Sequence, residues 1–265
     1  MDLSTPIGIV LGIGFLIFGF THEGGVVGSL VEVAAFIIVF GGTAGAVIAS
    51  YPFKNLKNII KWLKIAFSSK EIDLNEYSEK LIHFAEKARR EGLLSLQQDL
   101  ETIDDPFTYQ GMQLIIDGTD PETTQEILSA SIDVMSQRHK VGISVFEAAG
   151  GYAPTLGIIG TVMGLIQVLG NLTDATALSK SIASAFAATL YGVASANLIF
   201  LPIATKLKFK DSLEIAKMEM ILEGILSIQV GENLFTLKEK LKSHIGNDTK
   251  ENIEAEKSES VSNKG

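Results

Sequence analysis

The 265-residue chain has no cysteine, which excludes disulfides and thiol catalysis. Its four histidines are scattered, without the spacing that ligates a metal, and no metal site is expected. It also lacks a phosphate-binding loop, a nucleophile–base triad and any defensible pair of catalytic carboxylates, so it is not expected to be an enzyme. The most telling absence is charge. Leu3–Phe20, Val33–Phe53, Ala148–Thr173 and Ser181–Thr205 contain no Asp, Glu, Lys or Arg. A bilayer core takes about 20 apolar residues of helix, so three blocks cross it comfortably and the first with little to spare. One such block reads as a buried core helix; four in one chain read as membrane spans. The first block begins near Asp2 with no Lys or Arg and shows no small-residue cleavage site, so it is expected to be a retained span rather than a cleaved signal.

What charge there is orients the chain. THEGGVVGSL, between the first two blocks, has no Lys or Arg, and NLTDATALSK, between the last two, has only Lys180. KNLKNIIKWLK follows the second block and KLKFK the fourth, so the positive-inside rule puts those ends, and both termini, in the cytoplasm. The chain is therefore expected in the cytoplasmic membrane as a multi-pass protein. The net charge of −9 is spread over the soluble parts with both signs present, which gives nucleic-acid binding no support.

The expected fold is all-α: four transmembrane helices with a helical cytoplasmic domain built from the loop between spans two and three and from a C-terminal helix. The expected division is 1–52 for the first two spans, 53–147 for the helical loop, 148–205 for the last two spans, 206–242 for one C-terminal helix and 243–265 for a polar, disordered tail. In FKNLKNIIKWLKIAF, Lys54, Lys57, Lys61 and Lys64 are expected on one face of an interfacial helix, with Phe53, Leu56, Ile60, Leu63 and Phe67 largely on another. Gly92 is an expected break, followed by a second helical stretch through Ile103. At Asp117–Pro121, Gly118 suits a helix C-cap, Thr119 or Asp120 an N-cap, and Pro121 a first turn from which one helix runs into the third span.

Within the spans, Gly8-x-x-x-Gly12, Gly41-x-x-x-Gly45 and Gly160-x-x-x-Gly164 fit the small-residue spacing that lets membrane helices approach. Gly157, Thr161 and Gly164 share a face of the third span; Ala185, Thr189 and Gly192 share one of the fourth. These two smooth faces either line a narrow space or pack while the threonines back-bond to their own helices. Ion pathways in membranes commonly use an Asp or Glu. None lies inside the four blocks, with Glu32 and Glu147 only at their edges, so a conducting role requires a carboxylate from another chain.

ARREGLLSLQQDLE (88–101), GMQLIIDGTDPE (111–122), GYAPTLGIIGTVMGLI (151–166) and AFAATLYGVASANLIFLPIATKLK (185–208) resemble the MotA family of flagellar motor stators, within the superfamily that includes ExbB and TolQ. The resemblance covers nearly the whole chain apart from its tail. It implies an ion-conducting subunit, a homo-pentamer around a MotB dimer whose single membrane helix carries the ion-binding Asp, working against the rotor protein FliG. An ExbB- or TolQ-like energy-transducing subunit is the alternative. By matching position, Thr161 and Thr189, with Gly157, Gly164, Ala185 and Gly192, are expected along the ion pathway, and Pro154 and Pro202 to couple ion passage to movement. Arg89 falls at a rotor-facing position. The acidic residue expected beside it is Gln97 here, so Arg90, Asp99 and Glu101 are expected to share that contact. No cofactor is implied, membrane lipid is an expected partner, and the transported ion is expected to be a proton rather than Na⁺. A leucine at position 164 or 188 is expected to abolish torque while leaving assembly partly intact.

Overall fold

The structure, a computed structural model, describes residues 3–69, 72–170 and 175–245. The regular structure among the described residues is all helical, with no strand. It divides into two compact units, Met1–Lys70 with Gln137–Lys210, and Glu71–Ser136 with Asp211–Gly265.

The first unit holds the apolar blocks. α1 (Ser4–His22) buries no residue at all, a pattern that in an apolar helix marks a lipid-facing element. The second block forms α2 (Val33–Phe36), a π-helical turn (Ile37–Gly41) and α3 (Gly42–Ser50). The third block ends α8 (Pro121–Gly170), and the fourth runs through α9 (Ala175–Ser195), a second π turn (Ala196–Phe200) and the start of α10 (Leu201–Gln229). Among the described residues, four helical stretches are long and apolar enough to cross a membrane.

The lysine-rich segment belongs to this unit as α4 (Phe53–Leu56) and α5 (Ile59–Ala66), joined by a turn at Lys57 and Asn58. Its faces differ from the expected ones. Ile59, Trp62, Leu63 and Ala66 pack inward against Ile143, Phe146 and Leu207, whereas Phe53 and Ile60 point outward among the lysines. The turn at Lys57 and Asn58 breaks the helical period, so the inward face of α5 is set by Ile59, Trp62, Leu63 and Ala66, and Ile60 falls outside it.

The second unit is a water-type helical core. Leu81, Leu96, Met112, Ile115, Leu128, Met220, Ile221, Ile225, Leu237 and Leu241 are fully buried in it. α6 (Leu74–Glu91) starts at Asp73, whose side chain accepts from Asn75 N, and stops at Gly92, whose φ of +84° only glycine adopts without strain. The stretch after Gly92 was expected as ordinary helix; it forms 3₁₀ turns over Leu93–Gln98 and Leu100–Thr102 instead. Ser95 and Thr102 hydroxyls donate to the carbonyls three residues back, a local bonding that competes with an α turn. α7 (Pro106–Ile116) then ends at Asp117 and the positive-φ Gly118, as expected, and of the two N-cap candidates Thr119 and Asp120 it is Asp120 that caps α8, accepting from Thr123 N at 2.9 Å. The single C-terminal helix expected to residue 242 is two: α10 stops at Gln229, the chain turns at Gly231 (φ +66°), and Asn233 caps α11 (Leu234–His244). The expected tail lies outside the described residues beyond Ile245.

Candidate functional site

α8 and α9 meet along a seam with almost no side chain in it. A Cβ on Gly192 would stand 2.5 Å from the Ala153 carbonyl oxygen; one on Gly157, 2.8 Å from the Ala188 oxygen. One on Gly164 would stand 2.7 Å from Ala185 Cβ and 3.2 Å from the Ser181 oxygen. Any larger residue at these positions therefore forces the backbones apart. Gly157, Gly164, Ala185 and Gly192 are all buried, so within this chain they pack helix on helix and do not line an open space. Of the other glycine pairs, Gly12 receives Leu198, while Gly41 and Gly45 have no neighbour closer than 4.0 Å. Gly42, which the spacing did not single out, sits under Leu156.

Thr161 and Thr189 interrupt the seam. Thr161 Oγ1 lies 3.1 Å from its own helix's Gly157 carbonyl and 3.0 Å from the Ala185 carbonyl across the interface, and it is hydrogen-bonded to Thr189 Oγ1. A hydroxyl has one proton, so Thr161 donates to one carbonyl at a time and takes the Thr189 proton as acceptor. Back-bonding and cross-helix bonding therefore both occur. The result is a knot of four oxygens, half-buried, set between two close-packed backbones. No group of three or more His, Asp or Glu side chains suited to a metal occurs among the described residues.

The prolines flank this seam on the side away from Gly164. α8 continues through Pro154 without the bond its missing N–H would have made to Gly150. Pro202 is the second residue after the π turn Ala196–Phe200, a wider turn than the α-helix, and its missing N–H leaves a carbonyl of that turn without a helical donor. Tyr191, not singled out from the sequence, ties α9 to the start of the second block: its hydroxyl donates to Leu30 O and accepts from Glu32 N at 3.0 Å.

In the second unit, Arg89 and Arg90 are exposed in the last turn of α6, and Gln97 and Glu101 are exposed on the 3₁₀ turns that pack back against that helix. Asp99 differs: it accepts from Lys87 at 2.7 Å, with both side chains largely covered. The expected contact surface is thus one edge, from which Asp99 is withdrawn by Lys87. A second ion pair lies in the same unit. Lys217 donates to Asp105 at 2.7 Å, and only its distance in sequence hides it. Burial alone would raise the Asp105 carboxyl; hydrogen bonds from Lys217 and Thr108 outweigh it and hold the group below its ordinary value.

Comparison with known proteins decides the family. The model of the MotA/TolQ/ExbB proton channel family matches residues 99–220, and that of the motility protein A N-terminal region matches 6–92. The chain belongs to the MotA family. Motility protein A of Borreliella burgdorferi is 39% identical over 91% of this chain and 93% of its own length. The uncharacterised protein YtxD of Bacillus subtilis is 39% identical over 91% of this chain and 89% of its own. Among solved structures, the flagellar MotAB stator complex from Bacillus subtilis superposes with a TM-score of 0.88 at 33% identity, covering 95% of this chain and 99% of that one. The match to the MotA N-terminal region, together with four candidate spans, sets aside the ExbB- or TolQ-like alternative.

Proposed function

We propose that this MotA-family chain is the ion-conducting stator subunit of a flagellar motor, a pentamer around a dimer of a MotB-like single-span subunit. The observation that carries the reading is the Thr161–Thr189 oxygen knot in spans that contain no Asp or Glu of their own. Such a site sets two hydroxyls beside a carboxylate brought by the partner helix, either of which donates to it by giving up a bond within the knot, and it leaves the titrating group outside this chain. The ion is a proton, carried by that partner carboxylate past Thr161 and Thr189. One charge moving through 100 mV supplies about 2.3 kcal/mol, so each step requires an interface of low barrier. Pro154 and Pro202 are the bends through which ion passage moves the cytoplasmic part, and Arg89, Arg90, Gln97 and Glu101 face the rotor protein FliG. Both termini lie in the cytoplasm, and the chain performs no covalent chemistry and uses no cofactor.

Expression with a MotB-like partner in a stator-less flagellated strain tests the reading. Restored swimming that stops when a protonophore collapses the proton gradient, and that survives Na⁺ removal, is expected. Swimming that follows external Na⁺ instead would retain the stator and replace the ion; no motility despite an assembled complex would overturn the function.

A further inference from the structure

Residues 53–67 contain four lysines and no Asp or Glu, in a chain whose net charge is −9. Lys54, Lys57, Lys61 and Lys64 are all exposed, and none of their ammonium groups has a partner among the described residues. Alongside them Phe53 is 71% and Ile60 69% exposed. Phe53 in α4, Lys57 in the turn, and Ile60 and Lys64 in α5 are all exposed, so large apolar and cationic side chains alternate along this stripe of the segment. Water does not favour that mixture; the boundary between acyl chains and headgroups does, with Phe53 and Ile60 inserted and the lysines reaching up to phosphate.

Next to the stripe is a groove. Ala44, Val47 and Ile48 of α3 face Phe53 and Leu56 across an open, apolar space of about 390 Å³, and Lys57 stands beside it. The volume is in the lower range of small-ligand sites, roughly 300–1,000 Å³. α3 ends at Ser50, so Ala44 lies roughly 9 Å deeper along the span at 1.5 Å per residue. The groove therefore leads from the lysine level into the hydrocarbon.

We propose that this groove binds an anionic phospholipid of the cytoplasmic leaflet, with one acyl chain against Ala44–Ile48 and the headgroup phosphate held by Lys57 and Lys54. The charge decides the lipid class: zwitterionic headgroups leave the unpartnered ammonium groups uncompensated, whereas an anionic one is favoured by about 1 kcal/mol per lysine near the surface. The site is independent of the stator reading, since it requires only that the spans lie in a bilayer.

The chain has a single tryptophan, Trp62, which shares an apolar cluster with Val47, Leu56 and Ile59 that border the groove. Its fluorescence is the probe. The full-length chain is reconstituted in phosphatidylcholine vesicles containing phosphatidylglycerol, with acyl-chain bromines carried by one lipid or the other. Brominated phosphatidylglycerol is expected to quench Trp62 with a preference of about five-fold per engaged lysine. The double variant K54Q/K57Q removes the preference, and Ala44→Leu, which fills the groove, reduces quenching by both lipids. Should the lysine variant fail to insert, the wild-type chain in about 1 M salt, where the screening length is about 3 Å, decides: the preference collapses. Equal quenching by the two lipids, or a preference that survives both the lysine changes and the salt, overturns the proposal. So does a photoactivatable label on the I60C variant that crosslinks to a second copy of the chain rather than to lipid.

Discussion

Lys217 Nζ lies 2.7 Å from Asp105 Oδ1 with the two side chains only 10% and 14% exposed, and the same ammonium sits 5.2 Å from the centre of the Tyr77 ring. One charge thus joins α10, the N-cap of α7 and α6. Asp105 also accepts from Thr108 N at 2.9 Å, so its carboxylate serves the cap and the ion pair together. Replacing Asp105 by Asn preserves a capping side chain but leaves Lys217 covered and uncompensated, which costs about 3 kcal/mol. The pH dependence has a definite sign. A carboxyl held below its ordinary value of 3.8 contributes stability that is fully present above that value and is lost as pH falls through the lowered one. Thermal unfolding of the purified chain should therefore show D105N less stable by a constant margin at neutral and mildly acidic pH, with the margin closing below about pH 4. Replacing both partners by apolar residues, D105L with K217M, should be less harmful than either change alone.

The seam geometry revises what a large residue at position 164 does. A leucine there was expected to leave assembly partly intact, but its Cβ alone would stand 3.0 Å from Ala185 Cα and 3.2 Å from the Ser181 carbonyl. Backbone cannot yield as a side-chain tip can. Gly164→Leu and Gly192→Val should abolish recovery of the membrane complex along with torque, measured by detergent extraction and size-exclusion chromatography. Gly8→Ala, with nothing within 4 Å of its added carbon, should assemble and function normally.

Thr161 separates packing from conduction. A cross-helix hydrogen bond in a membrane is worth about 1 kcal/mol, so Thr161→Val should lower the thermal stability of the complex only slightly. If the hydroxyl meets the ion-carrying carboxylate, the same change should nonetheless stop rotation in a tethered-cell assay. Thr161→Ser, which retains the oxygen, should restore most of the speed. Equal rotation in the Val and Ser variants would reduce Thr161 to packing.

Much of this molecule was legible in the sequence because a bilayer imposes simple rules. Charge-free blocks gave the four spans, and Gly92, Gly118 and Asp120 marked helix ends that the structure confirms. What stayed hidden depends on three-dimensional neighbours. Gly41 and Gly45 obey the same spacing as Gly160 and Gly164 yet face open space, since spacing reports a smooth face without saying what lies opposite. The break at Gly231 was hidden by apolar residues on both sides of it, which continue the helical period across the turn. Lys87, Lys217 and Tyr191 were invisible because their partners are far along the chain or belong to the backbone.

The edge around Arg89 offers the clearest dissection of surface from scaffold. Arg89 is exposed, while Asp99 is tied to Lys87 at 2.7 Å and largely covered. An exposed charge changes stability by less than about 1 kcal/mol, so Arg89→Glu should leave expression and complex recovery unchanged. If it faces the rotor, rotation should fall sharply, and restoration by a charge reversal on the rotor side would place the two charges in contact. Asp99→Lys acts differently. It sets two ammonium groups together under cover and should loosen the 3₁₀ segment, seen as faster proteolysis between residues 93 and 102. The charge swap K87D/D99K should recover that protection because it restores the pair. Rotation recovering with protection would give Asp99 a scaffolding role, and rotation lost despite restored protection would give its carboxylate a role at the rotor.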